Sequence, residues 1–435
     1  MMEAVDEDIV IVGAGIAGLT TSLGLHRLGI RSLVLESSDG LRITGFAFTT
    51  WTNAWKALDA VGVADSLRQQ HQRLNGNVAT SSISGLQTSE MSFEAKGKQA
   101  IVYCNGKDFE LSSTSTQIKE SGDHEIRCVQ RKLLLEAFSN ELPSGTVRFS
   151  SKVVTVEESG FYKLVHLADG TILKTKVLIG CDGVNSVVAT WLGFKKPAFT
   201  GRSAIRGCVD IKHNHGFGTK FMQFFGEGVR TGFIPCGDTT IYWFFTWTPS
   251  SCNQEKEIED NPAEMRRLVL SKLGKVPDEV RAFIENTDLD GFISSPLRYR
   301  HPWELLWGNI SKGNACVAGD ALHPMTPDIG QGGCAALEDG VVLARCLAEA
   351  LLKEPSGEKL AEKEEYKRRI EMGLKKYAKE RRWRSIELIS TAYMVGFIQQ
   401  GDGKVMYFFR DILAAYMAGL LLKRADFDCG KLSIS

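Results

Sequence analysis

The chain has 435 residues, long for one domain and enough for two or three packed units. Its 52 basic residues balance 52 acidic ones, so net charge gives no argument for a nucleic-acid or acidic partner. Hydrophobic residues make up 43% and charged residues 24%, ordinary for a globular protein.

The amino terminus carries no leader pattern: four of the six residues Glu3 to Asp8 are acidic. Asp8 to Val12 reads as a short β-branched strand. Gly13-Ala14-Gly15-Ile16-Ala17-Gly18 then fits G-x-G-x-x-G and opens a helix through roughly Leu28. Gly13 permits the tight turn, Gly15 lets a pyrophosphate approach the backbone, and Gly18 lets helix and strand pack closely. The helix N-terminus offers free N–H groups and a positive dipole end to phosphates. Gly29 ends the helix. A second strand, Ser32 to Glu36, follows. Glu36 lies about 20 residues after the glycines, where a carboxylate can hold both ribose hydroxyls and would repel a 2′-phosphate.

More parallel β-α units would continue a dehydrogenase. Asn77 to Asp123 is mixed instead, and Glu125 to Leu135 then leads into an R-x-x-L-L-type helix at Arg131. Val177-Leu178-Ile179-Gly180-Cys181-Asp182-Gly183 forms a second strand-and-turn signature. Residues 201 to 247 read as antiparallel strands rich in aromatics. Alternation puts Ile241, Trp243 and Phe245 on one face and Tyr242 and Phe244 on the other, without saying which meets a ligand. A third signature is Ala315-Cys316-Val317-Ala318-Gly319-Asp320, followed by Pro327-Asp328-Ile329-Gly330-Gln331-Gly332. Glu358 to Arg384, dense in Lys, Glu and Arg, reads as a solvent-facing helix. From Leu388 onward the pattern turns apolar, with Tyr393, Phe397, Tyr407, Phe408 and Phe409, as in a small helical cap. Ile412 to Leu422 is too short for the ~20 residues of a membrane span.

The ten cysteines form no C-x-x-C pair and no zinc spacing, so no metal site is expected. A reduced, cytoplasmic setting is the simpler reading.

In their order and spacing, the three signatures resemble the class A, para-hydroxybenzoate hydroxylase-like flavin monooxygenases, nearest to plant members related to salicylate hydroxylases and zeaxanthin epoxidase. That resemblance implies an α/β fold: a Rossmann-type FAD-binding domain (1–75, 120–190 and 291–350), an inserted mixed β-sheet substrate domain (76–119 and 191–290), and a C-terminal helical region (351–435). It implies FAD as cofactor, with NADPH or NADH as transient co-substrate and O2 consumed. Gly13, Gly15, Ala17 and Gly18 would face the pyrophosphate and Glu36 the adenosine ribose. Arg131 would reach the phosphate or ribityl region, and Arg42 would lie near the cofactor. Asp182 would serve FAD and the nicotinamide nucleotide, and Asp320 the ribityl chain. Gly330, Gln331 and Gly332 would place backbone N–H groups at the flavin N1/O2 edge, and Pro327 and Gly333 would also bind the cofactor. Two positions depart from the family: Ala189 stands where an arginine is usual, and Cys334 where Asn is.

Arg206, Phe224, Phe233, Trp243 and His323 are the substrate candidates, and no residue is assigned a catalytic role. The implied activity is insertion of one oxygen atom into an aromatic, phenolic or salicylate-like small molecule through a C4a-hydroperoxyflavin. An isoprenoid epoxidase and a flavin-binding regulatory protein without turnover remain open as alternatives. Neither nucleic-acid binding nor an integral membrane segment is expected. The oligomeric state is not legible.

Overall fold

A computed structural model describes residues 5–42, 46–93, 100–104, 107–110, 124–211, 216, 218–250, 258–352, 359–400 and 420–433. Tyr407, Phe408, Phe409 and most of Ile412 to Leu422 lie outside them.

The strand Val5–Val12 sits between Leu33–Leu35 and Ile172–Gly180, parallel to both, and Ala315–Val317 adds a further parallel strand beside Ile172–Gly180. Ile9, Val10, Ile11 and Val12 are all buried, as a strand covered on both faces requires. Their register aligns the carboxyl ends. Val12 pairs with Leu35 and Gly180, and Gly180 pairs with Val317. Gly13, Glu36, Cys181 and Ala318 therefore leave the sheet side by side. Open α/β sheets bind their ligands at such an edge.

The helices Ile16–Arg27 and Gly332–Leu351 cross at very short range. A Cβ on Gly24 would stand 2.7 Å from that of Ala344, and one on Gly340 2.6 Å from that of Thr20. Glycines are needed here for close approach.

The second sheet has nine strands. Its central strands are Ala198–Asp210, Thr240–Trp247, Arg230–Pro235 and Lys220–Phe225, antiparallel in that order. Lys220–Phe225 pairs parallel with Gly76–Ser81. One face packs on the helices Pro262–Lys272 and Asp278–Glu285 to form a separate core of Ile205, Phe224, Phe233, Trp243 and Phe245 with Met265, Val269, Val280 and Ile284. Asn261 starts the first of these helices, its Oδ1 accepting the Glu264 N–H. A two-stranded ribbon, Ala47–Thr50 with Arg127–Gln130, stands between the large sheets.

Lys359–Gln400 is one helix of 42 residues. Its charged half is not solvent-facing throughout, contrary to the sequence pattern. Ile370, Leu374 and Tyr377 are fully buried, and so is Arg381. The charges that look solvated in sequence include one stripe turned inward onto buried carboxylates.

A second difference concerns the cysteines. Cys128, on the ribbon, and Cys236, just after the strand Arg230–Pro235, lie with Cα atoms 4.9 Å apart and are joined as a disulfide across 108 residues of sequence. Cys181, Cys316, Cys334, Cys346 and Cys429 are free and buried.

Candidate active site

The first glycine turn is built as its chemistry demands. Gly13 has φ 102°, and a Cβ there would overlap the Cys181 carbonyl; one on Gly18 would overlap the Gly13 carbonyl. A Cβ on Gly15 would meet nothing within 4 Å, so open space lies beside the start of the first helix. No acidic residue occupies that helix's first turn and no side chain caps it. These are the conditions for phosphate binding.

Glu36 is buried at the end of the second strand. Its Oε2 accepts the Ala14 N–H at 3.0 Å and its Oε1 the Ser38 N–H at 3.0 Å. Burial raises its pKa, yet the Ser38 and Ala14 N–H groups outweigh this and hold it below the usual value. The carboxylate is fixed in its charged form at the mouth of the turn.

Arg131 begins the helix Arg131–Asn140, and its backbone N–H donates to Phe46 O at 2.7 Å. Its Nε is buried without a protein acceptor. Burial lowers its pKa, the Asp320 carboxylate pulls it back up, and Arg206, Arg42 and Glu36 also act on it. Arg131, Asp320, Arg42 and Glu36 thus form one electrostatic cluster, although they come from three separate stretches of the chain. An orphaned guanidinium N–H, an open glycine turn and a ribose-type carboxylate in one groove fit a dinucleotide such as FAD.

Asp182 is placed differently from a free ligand. Its carboxylate accepts from Ser186 Oγ at 2.5 Å and from the Val187 N–H at 2.6 Å, so it closes the turn before Val187–Trp191. Burial raises its pKa against these hydrogen bonds. Ala189 is buried beneath that turn.

The third signature supplies the far edge. Gly330 has φ 62°, and its missing Cβ would lie 2.7 Å from Thr49 Oγ1. Gly333 packs against the Phe48 ring. The helix Gly332–Leu351 starts with no side-chain cap and no acidic residue in its first turn. The Gln331 side chain is engaged by Asn53, its Oε1 accepting from Nδ2 at 2.8 Å. Cys334 is fully buried, and burial pushes its thiol up to about 12; it packs as a small apolar residue.

A cavity of about 190 Å³ opens between Pro327–Gly330 and the roof sheet. Phe48, Trp51, Phe93, Phe221, Tyr242 and Phe244 wall it, with Arg206, Gln223 and Arg230 among its polar groups. Of the five substrate candidates, the structure brings only Arg206 to this cavity. Phe224, Phe233 and Trp243 lie on the opposite face, in the core under the two roof helices. The register explains the split: Phe233 pairs with Trp243, whereas Ile234 pairs with Tyr242 and Arg206 with Phe244. His323 is also elsewhere. It is fully buried, with Nε2 2.7 Å from Asp339 Oδ2.

Sequence reasoning missed the wall residues Gln223, Arg230, Tyr242 and Phe244. Their signal was parity with Arg206, which becomes readable once strand register is known. It also missed a buried ionic network behind the groove. Asp339 accepts from the Gly319 N–H at 2.7 Å, from His323, and from Arg381 Nε. Glu338 binds Arg381 at 2.8 Å, Arg384 at 2.7 Å and Asn53 at 2.5 Å. Tyr377 Oη donates to Val317 O at 3.0 Å. The long helix therefore braces the strand end at Gly319 and, through Asn53, the Gln331 side chain.

Four strand ends meeting at a phosphate-type turn, roofed by a separate sheet over an aromatic cavity, define a flavin-binding fold of the Rossmann type. The chain belongs to the FAD binding domain family, whose model matches residues 6–374. It is 56% identical over 99% of its length to Monooxygenase 2 of Arabidopsis thaliana, covering all of that protein, and 35% identical to Monooxygenase 1 of the same plant, covering 98% of this chain and 99% of that one. An FAD-dependent urate hydroxylase of Mycolicibacterium vanbaalenii is 27% identical, over 77% of this chain and 78% of that one. In fold the chain is similar to Klebsiella pneumoniae HpxO, solved with FAD and uric acid: TM-score 0.75 and 21% identity, covering 99% of this chain and 98% of that one. The protein is an FAD-dependent monooxygenase, and FAD is its cofactor. No helix among the described residues is long and apolar enough to cross a membrane.

Proposed function

We propose that this monooxygenase consumes NADPH or NADH and inserts one oxygen atom from O2 into a planar aromatic, phenolic or salicylate-like molecule. The observation that carries the reading is the ring-lined cavity placed against Pro327–Gly330, the loop proposed to border the flavin. Bound and reduced, FAD supplies the electrons that activate oxygen. The chain's residues do the rest. Gly13, Gly15, Ala17 and Gly18 hold the pyrophosphate, Glu36 the adenosine ribose, and Arg42, Arg131 and Asp320 the phosphate-to-ribityl stretch. The backbone N–H groups at Gln331, Gly332 and Gly333 stabilise negative charge at the ring edge. Phe48, Tyr242 and Phe244 exclude water and stack a flat substrate. The relatives named urate hydroxylases support a flat heteroaromatic or aromatic substrate class.

The test is oxidation of NADPH and NADH by the FAD-loaded protein under isotopically labelled O2, with phenols, benzoates and isoprenoids. Stimulation by an aromatic compound, with one labelled oxygen in the product, is expected. Oxygen entering only an isoprenoid double bond, or no oxidation with any compound, overturns the reading.

A further inference from the structure

We propose that the protein docks peripherally on an anionic lipid bilayer, through an exposed tryptophan ridge fringed with basic residues. The ridge lies on the outer surface and does not depend on the oxygenation reading.

Two helices make the ridge. In the short helix Pro302–Trp307, Leu305 alone turns into the core, while Trp303, Leu306 and Trp307 share the outer face at i, i+3, i+4 spacing. This helix lies along Lys359–Gln400 and is held at both ends. At one end Arg382 Nη1 donates to the Leu305 carbonyl and, at 3.1 Å, to that of Gly308. At the other, Trp303 stacks on His301 with ring centres 4.2 Å apart, His301 meets Tyr299 at 4.9 Å, and Tyr299 stacks on Tyr393 at 4.8 Å. Arg382 and Tyr393 stand about 16 Å apart along the long helix at 1.5 Å per residue. Trp383, next to Arg382, adds a third outward indole.

Trp307 is 80% exposed, Trp383 66% and Trp303 56%. Tryptophan is ordinarily among the more buried residues. These three leave on the order of 400 Å² of indole surface in water, as much as the largest apolar patch of a typical monomer. The ring stack fixes Trp303 in place, so it stays outward without a partner.

Charge decides what covers the ridge. Lys379 lies one turn before Trp383 on the same exposed face, and Arg382 sits beside Leu306. Lys195 and Lys196 are exposed beside the short helix: the Lys195 carbonyl accepts from Arg300 Nη1 at 3.1 Å, and the preceding Phe194 packs under Gly308. Among the described residues none of these four cations is in an ion pair with a carboxylate. The acids nearby are already engaged. Glu304 approaches Arg300 at 3.3 Å, and Glu387 is held by Arg384 and Arg424. A two-fold contact through this ridge would set Lys195, Lys196, Lys379 and Arg382 close to a second set of the same cations, with no free acid to receive them. An anionic bilayer suits both features. Indoles settle at the headgroup level with the ring in the acyl boundary and the N–H toward water, and lysines beside them meet lipid phosphates.

The experiment sediments the full-length, FAD-loaded protein with vesicles of phosphatidylcholine alone or with about 30% phosphatidylserine. The wild type is expected to bind the anionic vesicles at least about fivefold better than the neutral ones, and to be released as salt rises from about 0.1 M to about 0.5 M. Trp303→Ser/Trp307→Ser should lose most of that binding while keeping its FAD and melting temperature. Trp307→Ser alone, at the most exposed position, serves if the double variant is unstable. Lys195→Glu/Lys196→Glu, which leaves the indoles in place, should lose the preference for anionic lipid. No vesicle binding by the wild type, equal binding to both vesicles, or undiminished binding by the tryptophan variants overturns the inference. So does a wild-type dimer in sedimentation that Trp307→Ser dissolves without any vesicle binding, since the ridge would then belong to a second copy.

Discussion

Arg381 Nε donates to Asp339 Oδ1 at 2.5 Å with neither side chain exposed at all. The pair joins a helix that looked solvated in sequence to the strand end that carries Gly319 and Asp320. Removing one partner of a buried ion pair strands the other. Arg381→Met should therefore lower stability by about 3–5 kcal/mol and release FAD. Thermal unfolding and flavin retention after desalting check this. A variant with an unchanged melting temperature and full FAD would show that the pair is inert.

The same pair sets an acid limit. Burial alone would raise the Asp339 carboxyl, but His323 and Arg381 hold it down to about 2. The unfolded carboxyl titrates near 3.9, so this depressed group stabilises the fold fully above about pH 4 and loses that contribution as pH falls toward 2. Glu338 is lowered in the same sense by Arg381 and Arg384 against its burial. Melting temperature measured from pH 5 downward should fall through this window. In Arg381→Met the fall should begin at higher pH, because the carboxyl loses its cation. A melting temperature flat from pH 4 to pH 2 in the wild type would contradict the assignment.

Gly15 and Gly18 separate folding from cofactor binding. A Cβ on Gly18 strikes the Gly13 carbonyl, whereas one on Gly15 enters open space at an ordinary φ of −82°. Gly18→Ala should disrupt the apoprotein. Gly15→Ala should leave it within about 0.5 kcal/mol of the wild type while weakening FAD severely. Apoprotein melting and FAD titration distinguish them, and equal behaviour of the two variants would refute the placement of the pyrophosphate.

Asp320 is exposed beside the Arg131 cluster. Asp320→Ala should leave the apoprotein's melting unchanged yet reduce FAD affinity by about tenfold or more, the effect of one charged hydrogen bond. Full flavin occupancy at limiting FAD would remove Asp320 from the site.

Trp243 and Phe244 are neighbours in sequence with opposite duties. Trp243 is fully buried, donates to Thr287 Oγ1 at 2.9 Å and meets the Phe292 ring edge-on at 5.1 Å. Trp243→Ala should cost about 3–5 kcal/mol and leave ligand selectivity alone. Phe244→Ala should change ligand affinity with a smaller loss of stability. Melting curves and flavin spectral titrations on the two variants read both effects.

That contrast marks the limit of what was legible in the chain. The parallel strands, the glycine turn, Glu36 and the strand ends at Asp182 and Asp320 were readable because each is a local pattern with one steric solution. The cavity wall was not. Alternation separates Trp243 from Phe244 but assigns neither to a ligand, and the helices that claim Trp243 begin at Pro262. Arg381 and Arg384 were hidden for a similar reason. A helix crowded with charge looks solvated until the buried acids opposite it, 42 and 46 residues earlier, are in place. The Cys128–Cys236 pairing also depends on two sheets meeting, and no spacing encodes it.

The tie between Arg381 and Asp339 has a consequence for a shortened chain. Asp339, which steadies Gly319, follows the glycine turn by some three hundred residues, and its arginine follows later still. Until the helix carrying Arg381 and Arg384 docks, Glu338 lacks its arginines and Asp339 keeps only His323. A chain cut short before Arg381 should therefore hold FAD poorly even though its glycine turn is intact.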